Sequence, residues 1–407
     1  MHKIKIKNFG PIKKGFLEND GWFEIKKVSL FIGNQGSGKS TVAKLISTLM
    51  WVEKAIIRGD MKAPISNSDF QELIEFHRLE DYMQLDTQIE YKGRAFHLIV
   101  DPLNKEGLIT AKKLGKSVTK LPKIMYVPAE RNFLSSIANI SKVSDLIIGS
   151  LKNFSVEFRD AQLASDKPIT LPINNTKVVY DSAMDENYLL FDERRLKLSS
   201  ASSGFHSIVP LYWVTQYLVN YLKQGEKNLL KLLSVDQTIR RQNELKLLTQ
   251  NEVNSEVLLK EEKKINQKYI PKYLVNIVEE PEQNLFPTSQ RHLLNSLLSF
   301  NTRDNVLVMT THSPYLLNYL TLSVEAHKLK PRVKTEKLKS RLSKVVPLNA
   351  TLEGKDLVVY QMEEGSGTIT ELNSYKGIPS DENFLNESLA ETNELFSELL
   401  EIEDLCQ

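Results

Sequence analysis

The sequence predicts an α/β fold, and three apolar runs of the same design carry the prediction. Ser29-Leu30-Phe31-Ile32 opens into a Gly-rich stretch, residues 273–278 end in Glu279-Glu280-Pro281-Glu282, and residues 305–309 end in Thr310-Thr311-His312-Ser313-Pro314. Each run has the length of a buried strand, and each delivers polar residues at its carboxyl end, where ligands gather in α/β sheets.

Taken in order, residues 1–9 set Ile4, Ile6 and Phe9 against Lys3, Lys5 and Lys7, the alternation of a half-buried strand. Asn8-Phe9-Gly10-Pro11-Ile12 forms a turn, and residues 14–18 and 22–25 form further strands. Next come Gly33, Asn34, Gln35, Gly36, Ser37, Gly38, Lys39, Ser40 and Thr41, a G-x-x-x-x-G-K-[ST] phosphate loop with a strand before it and a helix over 41–50 after it. Gly33, Gly36 and Gly38 let the backbone turn tightly and bring its N–H groups to a polyphosphate without Cβ interference. The helix start adds its dipole and unpaired N–H groups. Lys39 suits a bridge between β- and γ-phosphates, and the Ser40 hydroxyl suits Mg²⁺.

Ser68-Asp69 caps a short helix reaching residue 82, and residues 88–100 form a hairpin about Lys92-Gly93. A strand over 122–127 runs into Pro128-Ala129-Glu130-Arg131-Asn132; residues 133–165 are helical, and 178–180 and 188–191 are short strands. Ser199-Ser200-Ala201-Ser202-Ser203-Gly204 precedes a helix over 205–222 and reads by itself as a polar helix cap. Residues 223–272 turn charged and form a helical insertion, either a bare solvated pair or one that carries a partner.

The strand at 273–278 delivers adjacent carboxylates. Glu279 suits the metal shell, through water, and Glu280 suits polarising an attacking water; a surface acidic turn is the plainer alternative. His312 follows a hydrophobic strand where a γ-phosphate sensor would sit, although a lone histidine there is often structural. Helix 288–298 separates these two strands. Lys328, Lys330, Arg332, Lys334, Lys337, Lys339, Arg341 and Lys344 form a basic stretch that either meets DNA, pairs with the acidic tail, or faces solvent. A hairpin over 357–372 and an acidic helix over 381–404 complete the chain.

Composition excludes several classes. The 407 residues are 41% hydrophobic and 26% charged, which suits a folded chain with a real core, and a net charge of +2 confines any nucleic-acid surface to a local patch. The one cysteine, Cys406, leaves no disulfide framework and no Cys-based zinc site. No apolar run has the length of a membrane span, and the start alternates Lys with Ile where a signal region would be apolar, so a cytoplasmic location is expected.

With these landmarks in order, the chain resembles the ABC-type ATPases, more narrowly the RecF/SMC-like heads, and within them the overcoming-lysogenization-defect (OLD) ATPases of prokaryotic antiphage defence. The resemblance rests on Asn8-Phe9-Gly10-Pro11-Ile12, Gly33 through Ser40, Tyr126 through Arg131, Ser202-Ser203-Gly204, Glu279 through Glu282 and Thr311-His312-Ser313-Pro314. It implies an ABC-type P-loop NTPase head: an N-terminal antiparallel β subdomain, a mostly parallel core sheet and helical insertions. Residues 1–130 and 273–407 would be the two halves of the core, 131–198 an insertion, 199–222 the signature helix and 223–272 a second insertion. The expected cofactors are ATP and Mg²⁺, held by the phosphate loop with Ser40 and Glu279 at the metal, while Glu280, His312 and Lys39 act in catalysis. Ser202, Ser203 and Gly204 match the signature loop, which in this family caps the ATP held by the other subunit; the resemblance thus implies a head-to-tail homodimer around two nucleotides.

Departures accompany the match. Glu279 replaces the usual Asp, Phe205-His206 stand where an acid or Gln is common, and Phe286 replaces a usual His or Asp. Glu130 and Arg131 occupy the place of a Gln loop, where Arg131 would touch phosphate or a partner. Full-length OLD nucleases carry a nuclease domain after the core; here about a hundred residues follow His312, too few for another typical domain. A separate effector, nuclease or toxin, is therefore expected, as in the ATPase subunits of Septu and PARIS systems. The competing expectations are a RecF-like DNA-binding ATPase and a non-hydrolysing, nucleotide-gated scaffold.

Overall fold

A computed structural model describes residues 2–104, 108–115, 118, 120–137, 146–192, 194–231, 233, 235–249, 255–302 and 304–405. Among them, seven strands build the central sheet in the order Gly15–Phe16, Thr368–Glu371, Leu357–Glu363, Val28–Gly33, Val306–Thr311, Pro271–Glu279, Leu121–Val127. Every neighbouring pair is parallel except Leu357–Glu363 with Thr368–Glu371. The three sequence-predicted apolar runs lie side by side, so the phosphate loop, the carboxylates and His312 leave the same sheet edge. Near-continuous apolar strands are what a sheet covered on both faces requires. Leu30, Ile32, Leu274, Val278, Leu307 and Met309 enter one core, while Phe31, Val275, Ile277, Val306 and Val308 enter the other.

The second core is closed by helix Lys39–Arg58 and by a five-stranded antiparallel sheet, ordered Phe23–Ile25, His2–Phe9, Met83–Lys92, Phe96–Val100, Ile109–Lys113. The first core holds helix Ser203–Leu222, whose Trp213 is fully buried, together with helices Gly149–Leu163, Pro287–Phe300 and Pro314–Leu329. Helices Lys39–Arg58 and Ser203–Leu222 therefore pack on opposite faces of the central sheet.

Boundaries differ from the sequence reading in ways that have causes. The phosphate-loop helix runs on to Arg58, because Val52 and Ala55 continue its buried stripe until Gly59 caps it in the left-handed region. The short helix is Asn67–Glu75, capped two residues earlier than expected by Ser66, whose hydroxyl accepts from Asp69 N, and it ends well before residue 82. The expected helix over 133–165 resolves into Phe133–Ser136 and Gly149–Leu163, with 138–145 outside the described residues. The two short strands near 180 belong to a four-stranded antiparallel sheet ordered Arg194–Lys197, Glu186–Phe191, Lys177–Asp181, Ile169–Thr170. The charged segment holds helices Glu226–Lys231, Val235–Thr249 and Ser255–Tyr269; it is tied to the turn that follows helix Lys39–Arg58 by Arg240 on Asp60 at 2.8 Å. No described helix is long and apolar enough to cross a membrane.

Candidate nucleotide site

At the sheet's carboxyl edge lies an open cleft of about 560 Å³, lined by Gln35, Gly36, Gly38, Lys39, Ser40, Thr41, Glu280 and His312 on one side and by Gly10, Pro11, Asp81 and Tyr82 on the other. The loop's shape explains its glycines. A Cβ on Gly33 (φ +149°) would stand 2.2 Å from the Met362 carbonyl oxygen, whereas Gly36 (φ +76°) has nothing within 4 Å and bares its backbone. Asn34, Gln35 and Gly36 are exposed, and Ser37 is buried. This concave run of bare N–H groups beside Lys39 and Ser40 fits a polyphosphate.

Lys39 is 5% exposed, and its ammonium donates to the carbonyls of Gly33 and Asn34, both at 2.7 Å. Burial lowers its pKa to about 8 against the opposing charges of Glu280, Glu282 and Glu364. Without nucleotide, Lys39 thus loses its proton as pH rises through about 8, and a polyphosphate loses its cation. ATP affinity should hold below that pH and fall about tenfold by about pH 9, while Lys39→Ala should bind weakly with no such slope. A fluorescent-nucleotide titration across this range checks both.

Glu280 sits one residue beyond its strand with φ +41°, a left-handed conformation costly for a side chain of its size. Its N–H donates to the Thr310 carbonyl at 3.0 Å, and its carbonyl accepts from Arg131 Nη2 at 2.6 Å, so both ends of the strained residue are held. The turn aims the carboxylate at His312, with Oε1 3.5 Å from Nε2. That contact, then the charges of Lys39 and Arg131, holds Glu280 below the usual carboxylate range despite burial, so it stays ionised and able to accept a proton at neutral pH.

Glu282, given no role by its sequence position, fixes the histidine from behind. Its Oε1 accepts from Thr311 Oγ1 at 2.7 Å and from the His312 N–H at 2.8 Å, and burial raises its pKa. Ser313 Oγ donates to Gln290 Oε1 at 2.6 Å, anchoring the next residue.

Glu279 stands apart from the cleft lining. It is 4% exposed; Oε2 accepts from Ala129 N at 3.1 Å, while buried Oε1 has no hydrogen-bond partner, and the carboxylate lies near enough to the buried Tyr126 phenol to raise that phenol's pKa along with burial. A buried carboxylate oxygen without a hydrogen bond fits a water, or a hydrated cation, shared with the Tyr126 phenol.

The expected phosphate or partner contact of Arg131 is corrected by its burial: it is 0% exposed. Nε donates to Ser207 O at 3.1 Å, Nη1 to Glu279 O at 2.6 Å and to Pro128 O at 3.2 Å, and Nη2 to Glu280 O. One guanidinium thereby joins helix Ser203–Leu222 to the carboxylate turn. Glu130 is exposed on the short turn before it.

Ser202 and Ser203 are exposed at the start of their helix and lie outside their own chain's cleft lining. Gly204 packs on the turn after the carboxylates, where an added Cβ would meet Asn284 O at 3.0 Å and Leu285 Cδ2 at 3.6 Å. Gly204→Val should therefore cost about 1–3 kcal/mol in denaturant unfolding by overpacking that contact. A neutral result would mean the helix start floats free of the turn. Phe286, the exposed N-cap of helix Pro287–Phe300, is 73% exposed.

The sequence reading missed the cleft's second wall. Asp81 and Tyr82 reach Gly10 and Pro11 because Phe9 pairs with Met83 across a bulge, and a Cβ on Gly10 would stand 2.3 Å from the Tyr82 ring. The visible signal was the Asn8-Phe9-Gly10-Pro11 turn, with Asn8 and Gly10 both at positive φ.

No family model matches this chain, and no curated relative matches it. Among solved structures, it is similar to an SMC head domain from Thermotoga maritima at 11% identity, covering 92% of this chain and 98% of that one with a TM-score of 0.37. It is also similar to an SmcHead bound to the C-winged helix domain of ScpA, at 10% identity over 91% and 96% with a TM-score of 0.39. A third is a dimeric post-hydrolysis state of the ATP-binding cassette MJ0796 bound to ADP and Pi, at 11% over 92% and 100% with a TM-score of 0.30. The α/β fold, with its antiparallel N-terminal sheet and mostly parallel central sheet, stands on the strand pairing of this chain.

Proposed function

We propose that this chain is a Mg²⁺-dependent ATPase whose two copies close head to tail around two ATP molecules. The observation that carries the reading is the meeting of Lys39, Ser40, Glu280 and His312 in one cleft with a glycine-bared phosphate loop. In that cleft Lys39 leaves its two loop carbonyls for the β- and γ-phosphates, and the loop N–H groups hold the chain of phosphates. Glu280 orients and deprotonates the attacking water, while His312 faces the γ-phosphate with its backbone fixed by Glu282. Bound Mg²⁺ would be held by Ser40 and, through water, by Glu279, and it supplies charge neutralisation across the phosphates. Exposed Ser202 and Ser203 would complete the site of the second copy. Phosphate release from ATP and Mg²⁺, abolished in Lys39→Ala, tests the activity; a purified chain that binds ATP without turnover would favour the scaffold reading instead.

The narrower reading, carried by the resemblance to OLD, Septu and PARIS ATPases, is control of a separate nuclease or toxin in antiphage defence. Co-purification with the product of an adjacent gene, and phage protection lost with Lys39→Ala, are the expected results; protection that survives Lys39→Ala contradicts it. DNA binding is the second reading. Arg332, Lys334, Lys337, Arg341 and Lys344 are exposed, and among the described residues no ion pair joins them to the acidic tail. Affinity for duplex DNA that falls steeply with salt and is lost on Lys→Glu changes there would support it.

A further inference from the structure

Helix Phe384–Leu405 carries seven acidic residues and no basic one, and every described residue from Glu387 onward is exposed. Its apolar side chains are exposed with them: Leu395 by 55%, Phe396 by 60% and Leu399 by 63%. Among the described residues nothing covers this stripe from Glu387 onward, and an apolar stripe left bare in this way is built to be covered. Its root is beside the phosphate loop. Phe384 N donates to Gln361 Oε1, and Gln361 pairs in register with Ile32; Asn34, Glu363, Glu364, Glu387 and Glu391 line a cleft of about 400 Å³ between helix and loop.

A surface of opposite character lies beside the signature loop. Strand Arg194–Lys197 is the edge of its four-stranded sheet, all four residues are exposed, and only the turn Leu198–Ser200 separates it from Ala201 and Ser202. Arg195 pairs with Asp181 at 2.6 Å and lies over the Tyr188 ring, Lys197 stands 3.7 Å from Glu186, and Arg194 has no ion pair among the described residues. Leu196 adds an exposed apolar side chain between the cations.

We infer that the acidic helix of one copy docks on the Arg194–Lys197 strand of a second copy. The inference rests on the head-to-tail reading above and deepens it. If each phosphate loop meets the other copy's Ser202 to Gly204, the helix rooted beside the first lies alongside the basic strand that leads into the second. At 22 residues the helix spans about 33 Å, enough to reach past the nucleotide seam. Leu395, Phe396 and Leu399 supply buried area and the carboxylates supply register, a pairing that raises association rate and orientation as well as affinity. The two seams of a symmetric pair would each carry one such contact.

Sedimentation velocity of the full chain with ATP and Mg²⁺ tests this, using Glu391→Lys/Glu394→Lys/Glu398→Lys on the helix and Arg194→Glu/Lys197→Glu on the strand. All five positions lie outside the lining of the nucleotide cleft, so monomer nucleotide binding should match the unmodified chain in both variants. The expected result is ATP-dependent dimerisation weakened about tenfold or more in each variant, and partial recovery when the two are mixed, because both seams of each mixed pair then have matched charges. Dimerisation insensitive to both variants overturns the helix contact while leaving the ATP-closed pair standing. Weakening by the helix variant alone, without recovery on mixing, assigns the helix to another surface and also overturns it. An unmodified chain that stays monomeric with ATP overturns the head-to-tail reading itself.

Discussion

Arg131→Ala should lower unfolding free energy by about 3–5 kcal/mol, the largest single-residue loss in the molecule outside its apolar cores. The guanidinium is fully buried, and it donates four hydrogen bonds, one to each of the main-chain carbonyls of Ser207, Pro128, Glu279 and Glu280. Burial lowers its pKa to about 10, resisted by Glu282, Glu279, Glu280 and Glu130, so it remains charged at neutral pH. Removing it strands several carbonyls without donors and leaves neighbouring carboxylates uncompensated. Arg131→Lys should recover only part of the loss, since one ammonium cannot span carbonyls on two elements. Urea unfolding measures both; a loss below about 1 kcal/mol for alanine would show that the carbonyls find other donors.

Glu280→Gln should slow ATP turnover by about 10²–10⁴-fold while leaving nucleotide binding intact. Glutamine keeps the size of the side chain, and the left-handed backbone is held by Thr310 and Arg131 through main-chain atoms that the change does not touch. What disappears is the carboxylate 3.5 Å from His312 Nε2. Steady-state phosphate release and equilibrium nucleotide binding separate the two effects. An unchanged rate would remove Glu280 from the role of base. Loss of binding together with rate would indicate that the carboxylate holds the loop instead of acting on water.

Much of this site could be read from residue order because its parts are strand ends. A buried parallel strand must be apolar along its length, so the switch to Gly33, Glu279 or Thr310 marks where it leaves the sheet, and neighbouring strands bring those switches together. The opposite wall left fainter traces. Asp81 and Tyr82 lie some seventy residues from Gly10, and only the pairing of Phe9 with Met83 joins them. Strand Ile109–Lys113 escaped notice because its alternation fades into Lys112 and Lys113, which are exposed at the sheet edge. Arg131 is the instructive case. Its partners are main-chain carbonyls, which every residue possesses, so no side-chain pattern announces that a polar-looking turn is the buried joint between two elements. The acidic helix, by contrast, was visible from composition, and the structure added that among the described residues nothing covers it from Glu387 onward.

The account depends most on two chains sharing two nucleotides. Light scattering of Glu280→Gln with saturating ATP and Mg²⁺, coupled to nucleotide quantification in the eluted peak, measures this directly. The expected result is a species of twice the monomer mass with two ATP molecules retained, which reverts to monomer when nucleotide is removed. A monomer that carries its own ATP under the same conditions would contradict it.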